Sequence, residues 1–144
     1  MPQVERAALV GFSASQMYAL VNDVERYPQF LPGCGGARLL SASDTELMAT
    51  IDIAKAGMRA AFTTRNRMVP GRSIELTLVN GPFRTLHGHW LFQPVDEQSC
   101  RVSLSLRFEF SNPLLALALG GVFQQMAVNM VDAFKRRAVE VYGG

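Results

Sequence analysis

The sequence predicts an α+β fold in which a curved antiparallel sheet of about seven strands wraps around one long C-terminal helix. Hydrophobic residues alternate with a period of two through the middle of the chain, and short turn signals separate these runs. A helical apolar stripe then occupies the C-terminal segment. With 144 residues, 49% of them hydrophobic and 18% charged, the chain suits a single domain, 1–144, with a substantial core.

The N-terminal part predicts one strand followed by two short helices. The strand is expected at residues 3–10. Ser13 and Gln16 form a capping box, which marks the start of the first helix. Its apolar positions recur at helical spacing, at Met17, Leu20, Val21 and Val24. Pro28 cannot continue that helix, and a second short helical turn is predicted to begin there.

The middle of the chain predicts strands with one buried and one wet face, as in an antiparallel sheet. Inward positions are Leu47, Ala49, Ile51, Ile53, Ala60, Phe62, Thr64, Ile74, Leu76, Leu78, Leu86, Gly88, Trp90, Phe92 and the even-numbered residues from Cys100 to Phe110. Turn signals lie at Ser43-Asp44, Ala56-Gly57, Pro70-Gly71, Asn80-Gly81-Pro82 and Val95-Asp96-Glu97. Such short connections imply a meander.

A single long helix is predicted at residues 113–142. Ser111 or Asn112 caps it, and Pro113 takes its first position. At 1.5 Å per residue it spans roughly 45 Å, enough to cross the sheet. Its apolar stripe consists of Leu115, Leu119, Val122, Phe123, Met126, Met130 and Phe134.

Composition restricts the compartment and the partners. The net charge is only +2, but twelve of the fourteen basic residues are arginine, which weakly favours an anionic partner. A general preference for arginine over lysine is the simpler explanation of the bias. Cys34 and Cys100 lack metal or redox spacing, which is typical of free thiols in a reducing compartment. Without a signal peptide pattern, we expect a soluble cytoplasmic protein.

Five motifs together resemble the START-like superfamily, whose shape is called a helix grip. They are YPQFLPGC (27–34), KAGM…FTTRN (55–66), NGPFRTLHGHW (80–90), FEFSNPLL (108–115) and NMVDAF (129–134). Within the superfamily, the chain resembles the coenzyme Q-binding branch, and most of all its bacterial ribosome-association toxins. The wider family also carries the label of polyketide cyclase. The resemblance runs nearly end to end and implies a helix-grip fold with an apolar ligand cavity.

The resemblance implies two kinds of partner. One is an apolar small molecule, ubiquinone or another isoprenoid lipid, with no required cofactor and a role in respiration. The other is the large ribosomal subunit, whose union with the small subunit such a protein blocks. We expect no DNA partner.

Six apolar residues are candidates to line the cavity between sheet and helix: Phe62, Leu86, Trp90, Phe123, Met126 and Met130. The simpler interpretation of each one is ordinary core. Small inward residues beside large ones leave room, and methionines adapt to varied ligands. Periodicity gives the face on which these residues lie, but not the volume between them.

The segment from Asp23 to Cys34 carries three large apolar side chains, Tyr27, Phe30 and Leu31, next to two prolines. They are interpreted either as a lid over the cavity or as a structural plug at the open end of the sheet. A lid that opens exposes an apolar surface, so transient contact with a membrane surface is a further hypothesis.

Three arginines, Arg59, Arg65 and Arg67, fall on the outer face of one strand. They form either a solvated face with acidic cross-strand partners or a surface that contacts the phosphates of ribosomal RNA. Because no aromatic side chains are interleaved with them, base-specific recognition is not expected.

Catalysis and metal binding have little support in the sequence. A cyclase needs titratable groups inside its pocket, and no Asp, Glu, Lys or His falls on the inward face of the clearer strands. His87 and His89 point the same way from one strand, but on the wet face and without further ligands. We therefore expect a binding protein with no catalytic residue and no metal.

Overall fold

The computed structural model describes residues 3–55 and 57–143, and this part of the chain has the predicted α+β architecture. The strands are β1 (Gln3–Val10), β2 (Cys34–Ala42), β3 (Glu46–Lys55), β4 (Met58–Val69), β5 (Ser73–Asn80), β6 (Phe83–Asp96) and β7 (Ser99–Phe110). The helices are α1 (Ala14–Asn22), a 3₁₀ segment (Val24–Gln29) and α2 (Pro113–Tyr142). The bounds of α2 agree with the sequence prediction. The turn signal at Ala56-Gly57 involves residue 56, which lies outside the described residues.

The strands form one curved sheet in the order β1-β7-β6-β5-β4-β3-β2. Every neighbouring pair is antiparallel, which confirms the meander from β2 to β7; β1 then pairs with β7. Register shifts interrupt three of the strand pairs, as between Thr63 and Thr64 opposite β5. Such irregularities bend strands and increase twist, so the sheet curls around a concave inner face.

Alternation along β7 shows how the sequence separates the two faces. The even-numbered residues from Cys100 to Phe110 are buried, whereas Arg101 and Arg107 are exposed. Because successive strand residues point to opposite sides, one apolar face is fixed for the whole sheet once the register is set.

Helix α2 lies across the concave face, but it buries a slightly different set of residues from the predicted stripe. Leu119, Phe123, Met126 and Phe134 are buried as expected. Leu115, Val122 and Met130 are only half-buried, and Ala127, Val131, Ala133 and Ala138 are buried instead. The difference arises because α1 also packs against α2, which widens the buried face, and alanines allow close approach there.

The first turns of α2 extend beyond the core. Leu114 and Leu117 are 79% and 85% exposed. By length and apolar composition alone, α2 is sufficient to cross a membrane, but the core helix of a globular protein has the same properties. In this structure its central and C-terminal turns pack on the sheet.

The region between α1 and β2 differs in one respect from the prediction. Ser13 caps α1 through the expected capping box with Gln16. The second short helical segment starts at Val24, four residues before Pro28, and Pro28 lies inside it. A short 3₁₀ segment tolerates this because proline's fixed φ suits the turn and only one hydrogen bond is lost.

We expect the contact between α2 and the sheet to depend strongly on Phe134, which has no exposed surface. Phe134→Ala should lower the free energy of unfolding by about 3–5 kcal/mol, since it removes a buried ring and leaves a cavity. Val139→Ala, at a position 49% exposed on the same helix, is the control and should change it by about 0.5 kcal/mol or less. Urea unfolding measures both. Equal losses in the two variants would contradict the proposed importance of the ring.

Candidate ligand-binding cavity

An apolar cavity of about 50 Å³ lies between the concave face of the sheet and α2. Strands β3 to β7 supply its floor, α2 its roof, and the end of α1 with the 3₁₀ segment one wall. The lining residues are Val21, Val24, Tyr27, Ala49, Ile51, Phe62, Thr64, Asn66, Ile74, Leu76, Leu86, Trp90, Leu104, Leu106, Phe123, Met126, Ala127 and Met130. Carbon atoms therefore dominate the lining of the cavity.

The structure brings together most of the residues that the sequence singled out as ligand-binding. Tyr27, Phe62, Leu86, Trp90, Phe123, Met126 and Met130 all line the cavity. Phe30 and Leu31 do not. Leu31 is buried in the core, and Phe30 lies half-buried on the outside of the 3₁₀ segment.

The segment that carries Tyr27, Phe30 and Leu31 is tied down at two points. The Tyr27 hydroxyl donates a hydrogen bond to the Val21 carbonyl. Arg137 on α2 places its guanidinium 5.1 Å from the centre of the Phe30 ring and donates a hydrogen bond to the Gln29 side chain at 2.9 Å. Tyr27 thus forms part of one wall of the cavity, while the Phe30 ring packs between Arg137 and Phe134.

Two polar side chains interrupt the apolar lining, and they were not among the predicted site residues. Asn66 and Thr64 on β4 are 6% and 5% exposed. Thr64 donates a hydrogen bond from Oγ1 to Oδ1 of Asn66 at 2.8 Å. The signal was present in the sequence, because the inward alternation through Phe62 and Thr64 continues to Asn66.

Room in the cavity depends on small residues. Ala49 and Ala127 are buried in the lining, and Gly88 lies on the same concave face. A Cβ built on Gly88 would lie 2.9 Å from the end of Leu106 and 3.0 Å from the end of Leu76. The flexible tips of two leucines therefore already cover the glycine, and their movement would enlarge the space.

The present volume suits a few water molecules and not a large ligand. Pockets for drug-sized molecules measure roughly 300–1,000 Å³. A ligand with a ring and a side chain would therefore enter only if Met126, Met130 and the leucine tips moved. Methionine side chains adapt to such changes because they are unbranched and have several rotatable bonds.

The outer face of the sheet carries the predicted arginine set, with some of its charge already compensated. Arg59, Arg65 and Arg67 are exposed on β4. Arg65 forms an ion pair with Glu46 at 3.1 Å, and Arg67 lies in register with both Glu46 and Glu75. The solvated-face interpretation therefore accounts for Arg65, whereas Arg59 lies apart from these acids at the other end of the strand.

The histidines are on the same outer face, as predicted. His87 lies 3.8 Å from a carboxylate oxygen of Glu75, and both groups are about half exposed. No group of three potential metal ligands occurs within the described part of the chain.

The two cysteines are free and buried, as expected for unpaired thiols. Burial raises the pKa of both thiols above the ordinary 9.0. A protonated thiol is a weak nucleophile, so these cysteines act as small apolar core residues.

Fold and cavity together define the class of protein. A long helix gripped by a curved antiparallel sheet around an apolar space is the arrangement of START-type ligand-binding domains. A START superfamily protein from Mycobacterium smegmatis has the same fold, with a TM-score of 0.79, 19% identity, and coverage of 96% of this chain and 98% of that one. The chain belongs to the family described as "Polyketide cyclase / dehydrase and lipid transport", which matches residues 10–135.

Individual relatives within this family carry different functional names. The chain is 54% identical over 143 residues to "Ribosome association toxin RatA" from Vibrio cholerae, covering 99% of both chains. It is 25% identical to "Coenzyme Q-binding protein COQ10 homolog B, mitochondrial" from Xenopus laevis, covering 98% of this chain and 59% of the other. The Zhui aromatase/cyclase from Streptomyces sp. R1128 shares the fold, with a TM-score of 0.85, 20% identity and coverage of 99% and 98%.

We expect the buried phenol of Tyr27 to make the free energy of unfolding decrease as the pH becomes alkaline. Burial raises the pKa of its phenol well above the ordinary 10.0. The unfolded chain loses this proton near pH 10 and the folded chain keeps it. The contribution of the neutral phenol to the free energy of unfolding is therefore complete below pH 10. It decreases by about 1.4 kcal/mol for each pH unit above that.

The measurement is urea unfolding at a series of pH values for the wild type and Tyr27→Phe. The variant lacks one hydrogen bond, which should lower stability by about 0.5–1.5 kcal/mol at every pH. Above pH 10 its curve should fall less steeply than that of the wild type. The two cysteines contribute above pH 9 in both proteins and cancel in the comparison. Parallel curves would argue against a neutral buried phenol.

Proposed function

We propose that this chain is a non-enzymatic binding protein that holds an apolar ligand between its sheet and α2. We further propose that it associates with the large ribosomal subunit and thereby inhibits subunit association. The single observation that carries the ligand part is the apolar cavity between the two layers. Burial of apolar ligand surface would supply about 25 cal/mol per Å² before the costs of binding.

The ribosomal part is supported by relatives. A protein named for ribosome association is 54% identical to this chain over 99% of both lengths. The exposed arginines of the outer face offer a surface for phosphate groups, and such contacts do not need base-specific groups. Ligand occupancy would couple to this activity if expansion of the cavity altered the curvature of the sheet. We expect such a protein to act in the cytoplasm.

A second candidate is a quinone carrier that supports respiration and has no ribosomal role. The similarity to a coenzyme Q-binding protein favours it. Delivery of a lipid would require contact with a membrane surface. The exposed Leu114 and Leu117 at the start of α2 offer an apolar surface for such a transient contact.

A cyclase-like enzyme is less well supported. Shared fold with an aromatase/cyclase at 20% identity carries no argument about chemistry. Among the described residues that line the cavity, Tyr27 has the only titratable side chain, and its phenol is engaged with Val21. General acid–base catalysis needs a group that exchanges its proton near neutral pH.

We expect a short-chain ubiquinone to bind and quench the fluorescence of Trp90, the single tryptophan, which lines the cavity. Quenching should saturate in the micromolar range. Ala49→Leu fills part of the cavity and should abolish the saturable phase, at a cost of about 1–3 kcal/mol in stability. Ala7→Leu, at an exposed position on β1, is the matched control and should bind normally. The ligand part fails if wild type and Ala49→Leu give the same unsaturable quenching.

We expect the wild type to sediment with large ribosomal subunits, with binding that weakens steeply as salt increases. Arg59→Glu combined with Arg67→Glu should reduce this binding by at least tenfold, because about two phosphate contacts are replaced by repulsion. Arg65 is kept so that its ion pair with Glu46 survives.

The matched control reverses Lys135 and Arg136, two exposed charges on α2, and changes the net charge by the same amount. It should bind as the wild type does. Absence of the wild type from the subunit fractions would remove the ribosomal role and leave the carrier alternative. Equal loss in both double variants would show that net charge matters and that the β4 face does not.

A further inference from the structure

One polar group inside the cavity has bonding capacity that the fold does not use. Asn66 projects from the middle of β4 and is only 6% exposed. Its neighbours in register on the concave face are Leu47 on β3 and Leu76 on β5, neither of which offers a side-chain hydrogen bond. The carboxamide is therefore surrounded laterally by hydrocarbon.

Only half of this carboxamide is satisfied. Its oxygen accepts the hydrogen bond from Thr64, which fixes the orientation of the amide plane. The NH₂ group has no hydrogen-bond acceptor among the described residues, and Asn66 lines the cavity. Buried polar groups in folded proteins nearly always have partners. The NH₂ group is not among the fully buried unpaired atoms of the described residues, so it is accessible from the cavity and available to a water molecule or a ligand.

From this arrangement we infer that Asn66, oriented by Thr64, recognises an uncharged hydrogen-bond acceptor on the ligand. The cavity would thus select neutral molecules that carry a carbonyl or similar oxygen on an otherwise apolar body. This inference rests on the proposed function, because it names the ligand class of the same cavity.

The charge of the lining supports the restriction to neutral ligands. Within the described residues, no arginine, lysine or histidine side chain lines the cavity. A carboxylate bound beside Asn66 would receive hydrogen bonds from one amide and lack a counter-ion. Burial of such an unpaired charge is far more costly than burial of a carbonyl oxygen.

Three nearly isosteric probes separate these possibilities: acetylnaphthalene, isopropylnaphthalene and naphthoate. They share an apolar ring system and differ in bearing a neutral acceptor, no acceptor or a carboxylate. Dissociation constants from calorimetry at neutral pH should rank acetylnaphthalene tightest and naphthoate weakest in the wild type.

Asn66→Leu keeps the number and branching of the side-chain heavy atoms and removes the donor. It should weaken acetylnaphthalene about tenfold, which corresponds to about 1.4 kcal/mol, within the range of one buried hydrogen bond. Binding of isopropylnaphthalene should stay unchanged or improve. A purely structural role of Asn66 would instead alter the affinities of both probes by the same factor.

Two further variants protect the test against misfolding and non-specific effects. Thr64→Val removes the bond that orients the amide and should weaken acetylnaphthalene selectively, by less than tenfold. Thr63→Val is the control. Thr63 lies on the same strand as Thr64, but its hydroxyl forms a hydrogen bond with the hydroxyl of Thr50 on the outer face, at 2.7 Å. This variant should leave both affinities unchanged.

The outcomes distinguish this inference from the proposed function on which it rests. If neither neutral probe binds the wild type and a short-chain ubiquinone gives no saturable quenching of Trp90, the proposed ligand binding and the inference about Asn66 both fail. If acetylnaphthalene and isopropylnaphthalene bind equally well, and Asn66→Leu changes neither dissociation constant nor their ratio, the role of Asn66 is refuted. Ligand binding by the cavity remains supported in that case. Naphthoate binding as tight as acetylnaphthalene would overturn the preference for neutral ligands.

Discussion

The architecture depends on how α2 is held against the concave face of the sheet by two groups of aromatic rings. Phe123 lies 4.7 Å from Phe108 and 4.9 Å from Phe83, measured between ring centres. Three turns further along the helix, Phe134 lies 5.1–5.5 Å from the rings of Phe30, Tyr27 and Trp90. Most of these contacts are edge-to-face, a geometry that aromatic pairs favour. The helix is thus supported at two places and spans the distance between them.

The cavity occupies that span. Met126, Ala127 and Met130 face the sheet between the two aromatic groups, and none of them fills the space as a ring would. The same packing that stabilises the fold therefore leaves an unfilled space of about 50 Å³ where a ligand would lie. Adaptable methionines and a short lining of small residues make this region the part of the core that can change most readily.

The fold is shared by proteins with different names and activities, so it does not by itself define the function of this chain. The lining supplies apolar area, the carboxamide of Asn66 and almost no titratable chemistry. The outer face supplies arginines, some of which are already paired with glutamates. Under the proposed function, a ligand would lie on one side of the sheet and a macromolecular partner would contact the other side of the same strands.

The sequence by itself determined the secondary structure and the two faces of the sheet. The period of two, the capping box at Ser13 and the cap-and-proline start at Asn112 are local signals, and local geometry decides them. The sequence also indicated seven of the ligand-binding candidates that line the cavity. Six follow from strand and helix periodicity, and Tyr27 was singled out as a large apolar residue beside proline.

The tertiary structure determined features that the periodicity of the sequence does not encode. Phe30 and Leu31 do not line the cavity, because the 3₁₀ segment begins at Val24 and directs their side chains away from it. The tertiary structure gave the cavity its small volume, which depends on how side chains from five strands and three helical segments interlock. It also left the NH₂ group of Asn66 without a hydrogen-bond acceptor among the described residues, because hydrogen-bond satisfaction depends on three-dimensional neighbours and not on spacing along the chain.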